Sequence, residues 1–138
     1  MDCRIIFYSA RKTSFCEKAL MKSFSELNLN LKEVSFSIDK ASLGQLLSEA
    51  FSKCDIAFVI GGLGFDDSRA IQTIISRAVT DAEIDEYKKL RNTSGDDGYL
   101  LRADNQILLL LPDEPEQIES VMQGPVNRYI KSVMQNTI

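Results

Sequence analysis

The order of apolar and polar residues along the chain predicts three strand–helix units in succession. Three short runs rich in apolar residues have the length of strands, and three longer segments repeat apolar residues at helical spacing. The predicted strands are 3–10, 32–38 and 55–60, and the predicted helices are 13–27, 40–54 and 67–80. Such repeated units predict a parallel sheet with helices on both sides.

Finer features of these units predict positions in the sheet and the start of the first helix. The run 32–38 alternates apolar and polar residues, which indicates a strand near the sheet edge, whereas 55–60 is apolar nearly throughout, as in a strand covered on both faces. Thr13 or Ser14 would cap the first helix, and Glu17 completes a capping box with Ser14. Helical spacing places Phe15 and Phe24 together in the core.

The second half of the chain follows a different pattern. Residues 81–98 are polar and charged, and we expect one or two helical turns and then a loop. Two apolar runs flank Asp104 and Asn105, which predicts a β-hairpin. Residues 114–135 would close the chain as a helix interrupted near Gly124 and Pro125. The predicted fold class is therefore a three-layer α/β/α arrangement with a mostly parallel sheet and a late β-hairpin.

Length and composition fit one globular domain that covers 1–138. The formal net charge is −4 and the basic residues are scattered, so nothing indicates a nucleic-acid surface. No apolar run approaches the length of a membrane span and no signal-peptide pattern is present, so we expect a cytoplasmic protein. Histidine is absent and the three cysteines are isolated. This excludes histidine-dependent nucleophiles and gives no reason to expect a disulfide framework.

The candidate chemistry lies where the third predicted strand ends. Gly61, Gly62 and Gly64 follow this strand directly, and Asp66 and Asp67 stand where the next helix would begin. Bare backbone before a helix N-terminus suits a phosphate group, but the same glycines also suit a tight turn alone. The two carboxylates would hold Mg²⁺ beside a phosphate, or would serve only as favourable acids in a first helical turn.

Two sequence blocks resemble a known family. The stretch VIGGLGFDD, residues 59–67, resembles the GGLG…DD segment of the molybdopterin-binding-like domains of molybdenum-cofactor biosynthesis proteins. It is most similar to the N-terminal domain of CinA-type competence/damage-inducible proteins. The stretch SGDDGYLLRADNQILLLLPDEPEQIESVM, residues 94–122, resembles the family's late hairpin, proline turn and helix. A Rossmann-like response or flavin module is a further alternative. It would need an acidic cluster or a phosphate loop at 9–13, and because neither is present it ranks below this family.

The chain also departs from the family pattern. The usual motif after the first strand is replaced by SARKTSFCEKA, and Asp113 replaces a glycine beside the expected ligand. A carboxylate there would repel a phosphate by on the order of a few kcal/mol. Either the ligand has changed, a cation offsets the charge, or the pocket is unused. Arg11 and Lys12, at the same sheet end, would supply that offset or would simply be solvated.

The resemblance implies a ligand and a set of site residues. The ligand would be molybdopterin or an adenine nucleotide, and Mg²⁺ would be held by Asp67, with Asp66 beside it. Ligand-binding residues by this resemblance are Gly61, Gly62, Leu63, Gly64, Ser94, Gly95, Pro112 and Asp113. Catalysis would be adenylyl transfer to molybdopterin or Mg²⁺-dependent cleavage of a nucleotide pyrophosphate such as ADP-ribose. A non-catalytic relative that serves as an assembly or regulatory module is the alternative. Relatives self-associate, so we expect a homo-oligomer, with the late hairpin pairing across the interface.

Overall fold

A computed structural model describes most of the chain. The described residues are 1–63, 86–92, 95, 97–103 and 106–136, without the side chains of 135 and 136. Within them lie six strands, four α-helices and one π-helical turn. The strands are Asp2–Tyr8 (β1), Asn30–Ser37 (β2), Ile56–Ile60 (β3), Glu86–Leu90 (β4), Gly98–Ala103 (β5) and Gln106–Leu111 (β6). The helices are Thr13–Leu27 (α1), Lys40–Lys53 (α2), Pro115–Val121 (α3) and Asn127–Asn136 (α4), and the π-helical turn is Met122–Val126.

The strands form one mixed, mostly parallel sheet. Its order is β2-β1-β3-β6-β5-β4. Pairing is parallel from β2 through β1 and β3 to β6, and antiparallel from β6 to β5 and from β5 to β4. The α/β class, the mostly parallel sheet and the late hairpin are therefore confirmed. The alternating strand β2 lies at a sheet edge, as its sequence indicated.

Apolar cores lie on both faces of the sheet. On one face, α1, α3 and α4 pack over inward residues of β1, β3 and β6, and the rings of Phe24 and Phe58 lie 4.8 Å apart there. On the other face, Leu43 and Leu47 of α2 are fully buried against the sheet. All five residues of β3 are buried between these layers, which explains its continuous apolar sequence.

The start of α1 differs from the prediction. The residue that precedes the helix is Lys12 in a left-handed conformation, and no side chain caps the helix. Thr13 and Ser14 already have helical positions, so the predicted capping box is wrong. Phe15 is also not in the core, because 62% of its surface is exposed. In the first turn of α1 the residue that faces the core is Cys16, which is fully buried.

The segment 86–90 is a strand, whereas the sequence predicted helical turns or a loop there. Its EYKKL sequence has little strand character, but β4 pairs with β5 along its length and buries Leu90. Tertiary pairing thus outweighs local propensity. β4 also covers the outer edge of the β5–β6 hairpin. The strand at this edge of the sheet is therefore β4, whereas we expected the hairpin itself to pair across an oligomer interface. The helix predicted at 67–80 and the hairpin turn at 104–105 lie outside the described residues.

The closing helix is interrupted where the sequence predicted. Gly124 has φ −99° and ψ −106°, which is not helical, and Pro125 follows it inside the π-helical turn. The turn changes the direction of the chain between α3 and α4, and both helices still bury residues against the sheet. No helix within the described ranges is long and apolar enough to cross a membrane.

Candidate functional site

The candidate site lies at the carboxyl ends of β1, β3 and β6, and the region between the loops that follow these strands is called the crevice here. From β1, the chain moves outward to β2 and then returns to place β3 on the opposite side of β1. The strand order therefore reverses between β1 and β3, and ligands of open α/β sheets bind at such a switch point. The loop 9–12 after β1 and the loop 61–63 after β3 flank this point. The segment 112–114 after β6 lies next to them.

Gly61 is fixed by the backbone geometry of this crevice. Its φ is +103°, and a Cβ atom at this position would stand 2.4 Å from the carbonyl oxygen of Tyr8. Its N–H donates to the carbonyl oxygen of Leu111 at 2.9 Å, which continues the pairing of β3 with β6. The amide of Gly61 is thus already used. The tight-turn interpretation explains this glycine, and a ligand would meet the backbone that follows it.

The two residues after Gly61 continue the loop toward the crevice. Gly62 has φ +78°, a conformation that favours glycine. Leu63 is partly buried and packs against the core on the α2 face. Its side chain anchors the loop. Within the described ranges, the N–H of Gly62 donates to no backbone carbonyl.

The loop after β1 carries unusual backbone conformations. Ser9 and Lys12 both have left-handed φ values, 46° and 54°, although neither is glycine. Such conformations cost energy in residues with a Cβ and concentrate at functional sites. The Ser9 N–H donates to the carbonyl of Ser37 at 2.8 Å, which ties the loop to the end of β2. The loop is therefore held in one shape at the switch point.

Asp113 is bound to this loop. Its Oδ2 accepts a hydrogen bond from the backbone N–H of Arg11 at 2.8 Å and another from Arg11 Nε at 3.3 Å. This contact raises the pKa of the Arg11 guanidinium, mainly through the side-chain hydrogen bond. A cation therefore lies beside the carboxylate of Asp113 and offsets its charge, which is one of the three alternatives that the sequence left open. The Asp113 side chain is only 18% exposed, whereas that of Arg11 is 75% exposed.

A second ion pair lies beside the first. Lys12 Nζ donates to Glu114 Oε2 at 2.8 Å, and this hydrogen bond raises the pKa of the Lys12 ammonium. Arg11 Nη2 also approaches Glu114 Oε1 at 3.9 Å. Arg11 and Lys12 thus lie at the crevice, as predicted, but each is paired with an acid rather than simply solvated. The sequence contained this signal as a basic pair after β1 and an acidic pair after β6, and Glu114 was the member not recognised.

The loop between β4 and β5 reaches the same end of the sheet. The Asn92 side chain donates to Gln117 Oε1 at 2.6 Å, and the Asn92 N–H donates to Asp97 Oδ1 at 2.8 Å. A Cβ atom on Gly95 would lie 2.7 Å from Gln117 Oε1. The first turn of α3 thus contacts Asn92 and Gly95, and both lie at the same sheet end as Pro112 and Asp113, which follow β6.

Several predicted residues cannot be placed, and the described ones offer no metal cluster. Gly64, Asp66, Asp67 and Ser94 lie outside the described residues. Within the described residues, no three His, Cys, Asp or Glu side chains lie together in a way that could hold a metal ion.

All three cysteines, Cys3, Cys16 and Cys54, are free and buried. Burial raises the pKa of Cys3 to about 12 and that of Cys16 to about 11, so neither is an activated nucleophile.

Comparisons with known proteins show similarity in structure alone. No family model and no curated protein matches the sequence. A CinA protein of unknown function from Thermoplasma acidophilum has a TM-score of 0.75 at 14% identity, over 94% of this chain and 97% of that one. The molybdopterin biosynthesis enzyme MoaB from Thermus thermophilus has a TM-score of 0.70 at 13% identity, over 96% of this chain and 95% of that one.

A third solved structure agrees with these two. The molybdopterin biosynthesis Mog protein from Mycobacterium ulcerans has a TM-score of 0.65 at 15% identity, over 96% of this chain and 98% of that one. Each match spans nearly the whole length of both chains, so the similarity extends beyond the two sequence blocks that first indicated it. This chain therefore has the fold of the CinA, MoaB and Mog proteins, as its resemblance to molybdopterin-binding-like domains predicted.

Proposed function

We propose that this chain binds a small molecule that bears a phosphate group, of the molybdopterin or adenine-nucleotide kind, in the crevice at the switch point. The observation that carries the proposal is the meeting of two basic side chains and a left-handed loop at the point where the strand order reverses. MoaB and Mog are named as molybdopterin biosynthesis proteins, which supports a ligand of this chemistry.

In this proposal, a phosphate group takes the place of acidic side chains that now neutralise the loop. Arg11 offers a backbone N–H and a guanidinium, and both at present contact Asp113. A phosphate oxygen accepts from the same donors that a carboxylate oxygen uses. The amide of Gly62 and the Lys12 ammonium would complete the contacts. Binding therefore requires Asp113 and Glu114 to move aside.

Mg²⁺ would accompany the phosphate. We propose that Asp67, with Asp66, would hold the ion, and Mg²⁺ binds through one or two carboxylates together with substrate phosphates. The ion would neutralise charge on the phosphate. The described residues add no carboxylate that is free for this purpose at the crevice, because Asp113 and Glu114 contact Arg11 and Lys12.

Isothermal titration with AMP and with ADP-ribose, each with and without Mg²⁺, tests this proposal. Lys12→Gln should weaken binding about tenfold, because a charge-assisted contact to phosphate is lost. Lys53→Gln is the matched control, since Lys53 also pairs with a carboxylate but at the end of α2, away from the crevice. Asp113→Asn should tighten binding about tenfold by removing a like charge. Absence of binding by both the native chain and Asp113→Asn would refute the proposal.

The second candidate is an assembly or regulatory module that binds no ligand. It is favoured by the internal use of the crevice donors: Gly61 donates to Leu111, and Arg11 is satisfied by Asp113. We also propose a homo-oligomer, because both sheet edges expose large apolar side chains, with Phe36 64% and Tyr87 60% exposed. Light scattering after size-exclusion chromatography checks this, and a monomer at micromolar concentration would exclude it.

A further inference from the structure

A second concave site lies away from the crevice. It is a groove with a volume of about 410 Å³ between the strands β4 and β5 and the helix α4. Glu86 and Arg102 face each other across β4 and β5, and Arg102 pairs with Ile107 at the amino end of β6. The groove therefore extends toward the sheet end opposite the crevice. Its volume falls within the range of small-molecule sites.

The groove concentrates positive charge on an acidic chain. Lys88, Arg102 and Arg128 line it together with one acid, Glu86, whereas the whole chain carries a net charge of −4. Lys88 Nζ and Arg102 Nη1 each lie 3.8 Å from a Glu86 oxygen, which is too long for a hydrogen bond. Arg128 forms no ion pair with any residue in the described ranges. The cations are therefore only loosely neutralised by the described residues.

Tyr129 adds a polar group that has no hydrogen-bond partner among the described residues. Its hydroxyl oxygen is buried and forms no hydrogen bond of acceptable geometry in the described part of the chain, although Arg102 and Glu86 are its polar neighbours. Burial raises the pKa of this phenol, so it stays protonated and is available as a donor at neutral pH. Lys88 Nζ lies 4.9 Å from the centre of the same ring. Buried polar groups are normally hydrogen-bonded, so this hydroxyl is an exception within the described ranges, and a ligand oxygen in the groove would satisfy it.

The remaining lining residues of the groove are mostly apolar. Leu90 and Leu100 are buried beneath it, and Pro125 of the π-helical turn closes one side. An inorganic ion would satisfy the cations but leave the partly exposed Pro125 and the ring of Tyr129 against water. A molecule with an anionic group and an apolar or aromatic body would contact both parts of the groove.

We propose that this groove binds a small molecule that carries a phosphate or carboxylate group on an apolar or aromatic body. The anionic oxygens lie between Arg102 and Arg128 and accept a hydrogen bond from the Tyr129 hydroxyl. The body of the ligand packs on Leu90, Leu100 and Pro125. Neither Arg11 nor the glycine loop takes part, so this site does not depend on the ligand proposed for the crevice.

Phenyl phosphate is a suitable probe, because it joins a phosphate to an aromatic ring. Titration followed by two-dimensional NMR should shift backbone resonances of β4, β5 and α4, and isothermal titration should give the dissociation constant. Benzoate should shift the same resonances, which would extend the chemistry to carboxylates. Phenol, without the anion, should shift none of them, and inorganic phosphate should bind more weakly than phenyl phosphate.

Three variants distinguish a binding site from ordinary surface charge. Tyr129→Phe and Arg128→Gln should each weaken phenyl phosphate binding by about fivefold or more, because each removes a donor to the anion. Lys131→Gln removes an exposed charge from the same helix outside the groove and should leave binding unchanged. Tyr129→Phe should be at least as stable as the native chain in urea, since it deletes a hydroxyl that forms no hydrogen bond within the described ranges.

The results that would overturn the proposal are specific. They are an absence of shifts in β4, β5 and α4, affinities unchanged in both groove variants, or an equal loss of affinity in Lys131→Gln. Phenyl phosphate shifts confined to residues 9–12 and 61–63 would also overturn it and assign the probe to the crevice. Conversely, Lys12→Gln should leave phenyl phosphate binding in the groove unchanged.

Discussion

The replacement of Gly61 by alanine tests whether backbone geometry, rather than ligand contact, requires this glycine. Two features oppose a side chain there. The φ of +103° is one that residues with a Cβ rarely adopt, and the new Cβ would stand 2.4 Å from the carbonyl oxygen of Tyr8. That oxygen belongs to the backbone of β1, which pairs on both sides with β2 and β3. Relief of the contact would therefore have to move paired strands.

The two features give a magnitude for the loss. A residue forced into a sparsely populated backbone region costs about 1–3 kcal/mol. Insertion of an extra carbon into a closely packed interior costs a further 1–3 kcal/mol or so. We therefore expect Gly61→Ala to reduce the free energy of unfolding by about 3 kcal/mol, which is a large fraction of the roughly 5–15 kcal/mol of a typical domain.

Urea unfolding followed by circular dichroism measures this loss, and the chain contains its own control. Gly44 lies inside α2, and a Cβ there would meet nothing within 4 Å. Gly44→Ala should therefore stabilise the protein by about 0.5–1 kcal/mol through helix propensity alone. The two substitutions are chemically identical and should have opposite signs. A Gly61→Ala variant within about 0.5 kcal/mol of the native protein would refute the reasoning, because such a change is typical of an unconstrained surface site.

Three further predictions concern the packing of the core, the reactivity of the thiols and the loss of stability at low pH. Phe24→Ala should cost about 3–5 kcal/mol in urea unfolding, whereas Phe15→Ala should cost less than about 0.5 kcal/mol, and similar losses would contradict the burial of these rings. Because burial raises the pKa of Cys3 to about 12 and of Cys16 to about 11, iodoacetamide should label them only after unfolding, and rapid labelling of the folded chain would disprove this. The pKa of Asp97 is lowered in the folded state, mainly by the hydrogen bond from the Asn92 N–H. The ionised carboxylate therefore stabilises the fold fully above its unfolded pKa of about 4, and this stabilisation is lost as the pH falls through the lower pKa of the folded state. The difference in urea midpoint between the native chain and Asp97→Asn should therefore shrink as the pH is lowered. A difference that grows on acidification would contradict the lowered pKa.

The central layers of the fold could be predicted because burial on both faces leaves a strong mark on sequence. The strand 56–60 is apolar at every position because helices cover both faces of β3. The helix 13–27 was predicted with the bounds that α1 has, since its apolar positions repeat at helical spacing. The interruption at Gly124 was predictable because Pro125 cannot continue a regular helix.

The features that were missed depend on contacts distant in sequence. The segment EYKKL forms β4 because it pairs with the edge of β5 and because Leu90 is buried in the core. Neither contact can be inferred from those five residues alone. The capping box failed because Lys12 takes a left-handed conformation that no local rule assigns to lysine. Its ion pair with Glu114 joins residues 102 positions apart. The convergence at the carboxyl end of the sheet was predictable from topology, but the pairing within it was not.

That pairing determines what a ligand would have to overcome at the crevice. The carboxylate of Asp113 takes from Arg11 a main-chain N–H and a guanidinium hydrogen bond, which are the donors that a phosphate oxygen would use. Ligand affinity is then a difference between two anions competing for one set of donors, rather than the sum of new contacts. A doubly charged phosphate gains more from Arg11 and Lys12 than a single carboxylate does, and Mg²⁺ would reduce its repulsion from the displaced acids. A glycine at 113 would leave the donors free in the absence of ligand. Aspartate at this position therefore neutralises the basic loop in the absence of ligand. Under the proposed function a more highly charged anion would displace it, and Asp113→Asn separates this competition from the rest of the site.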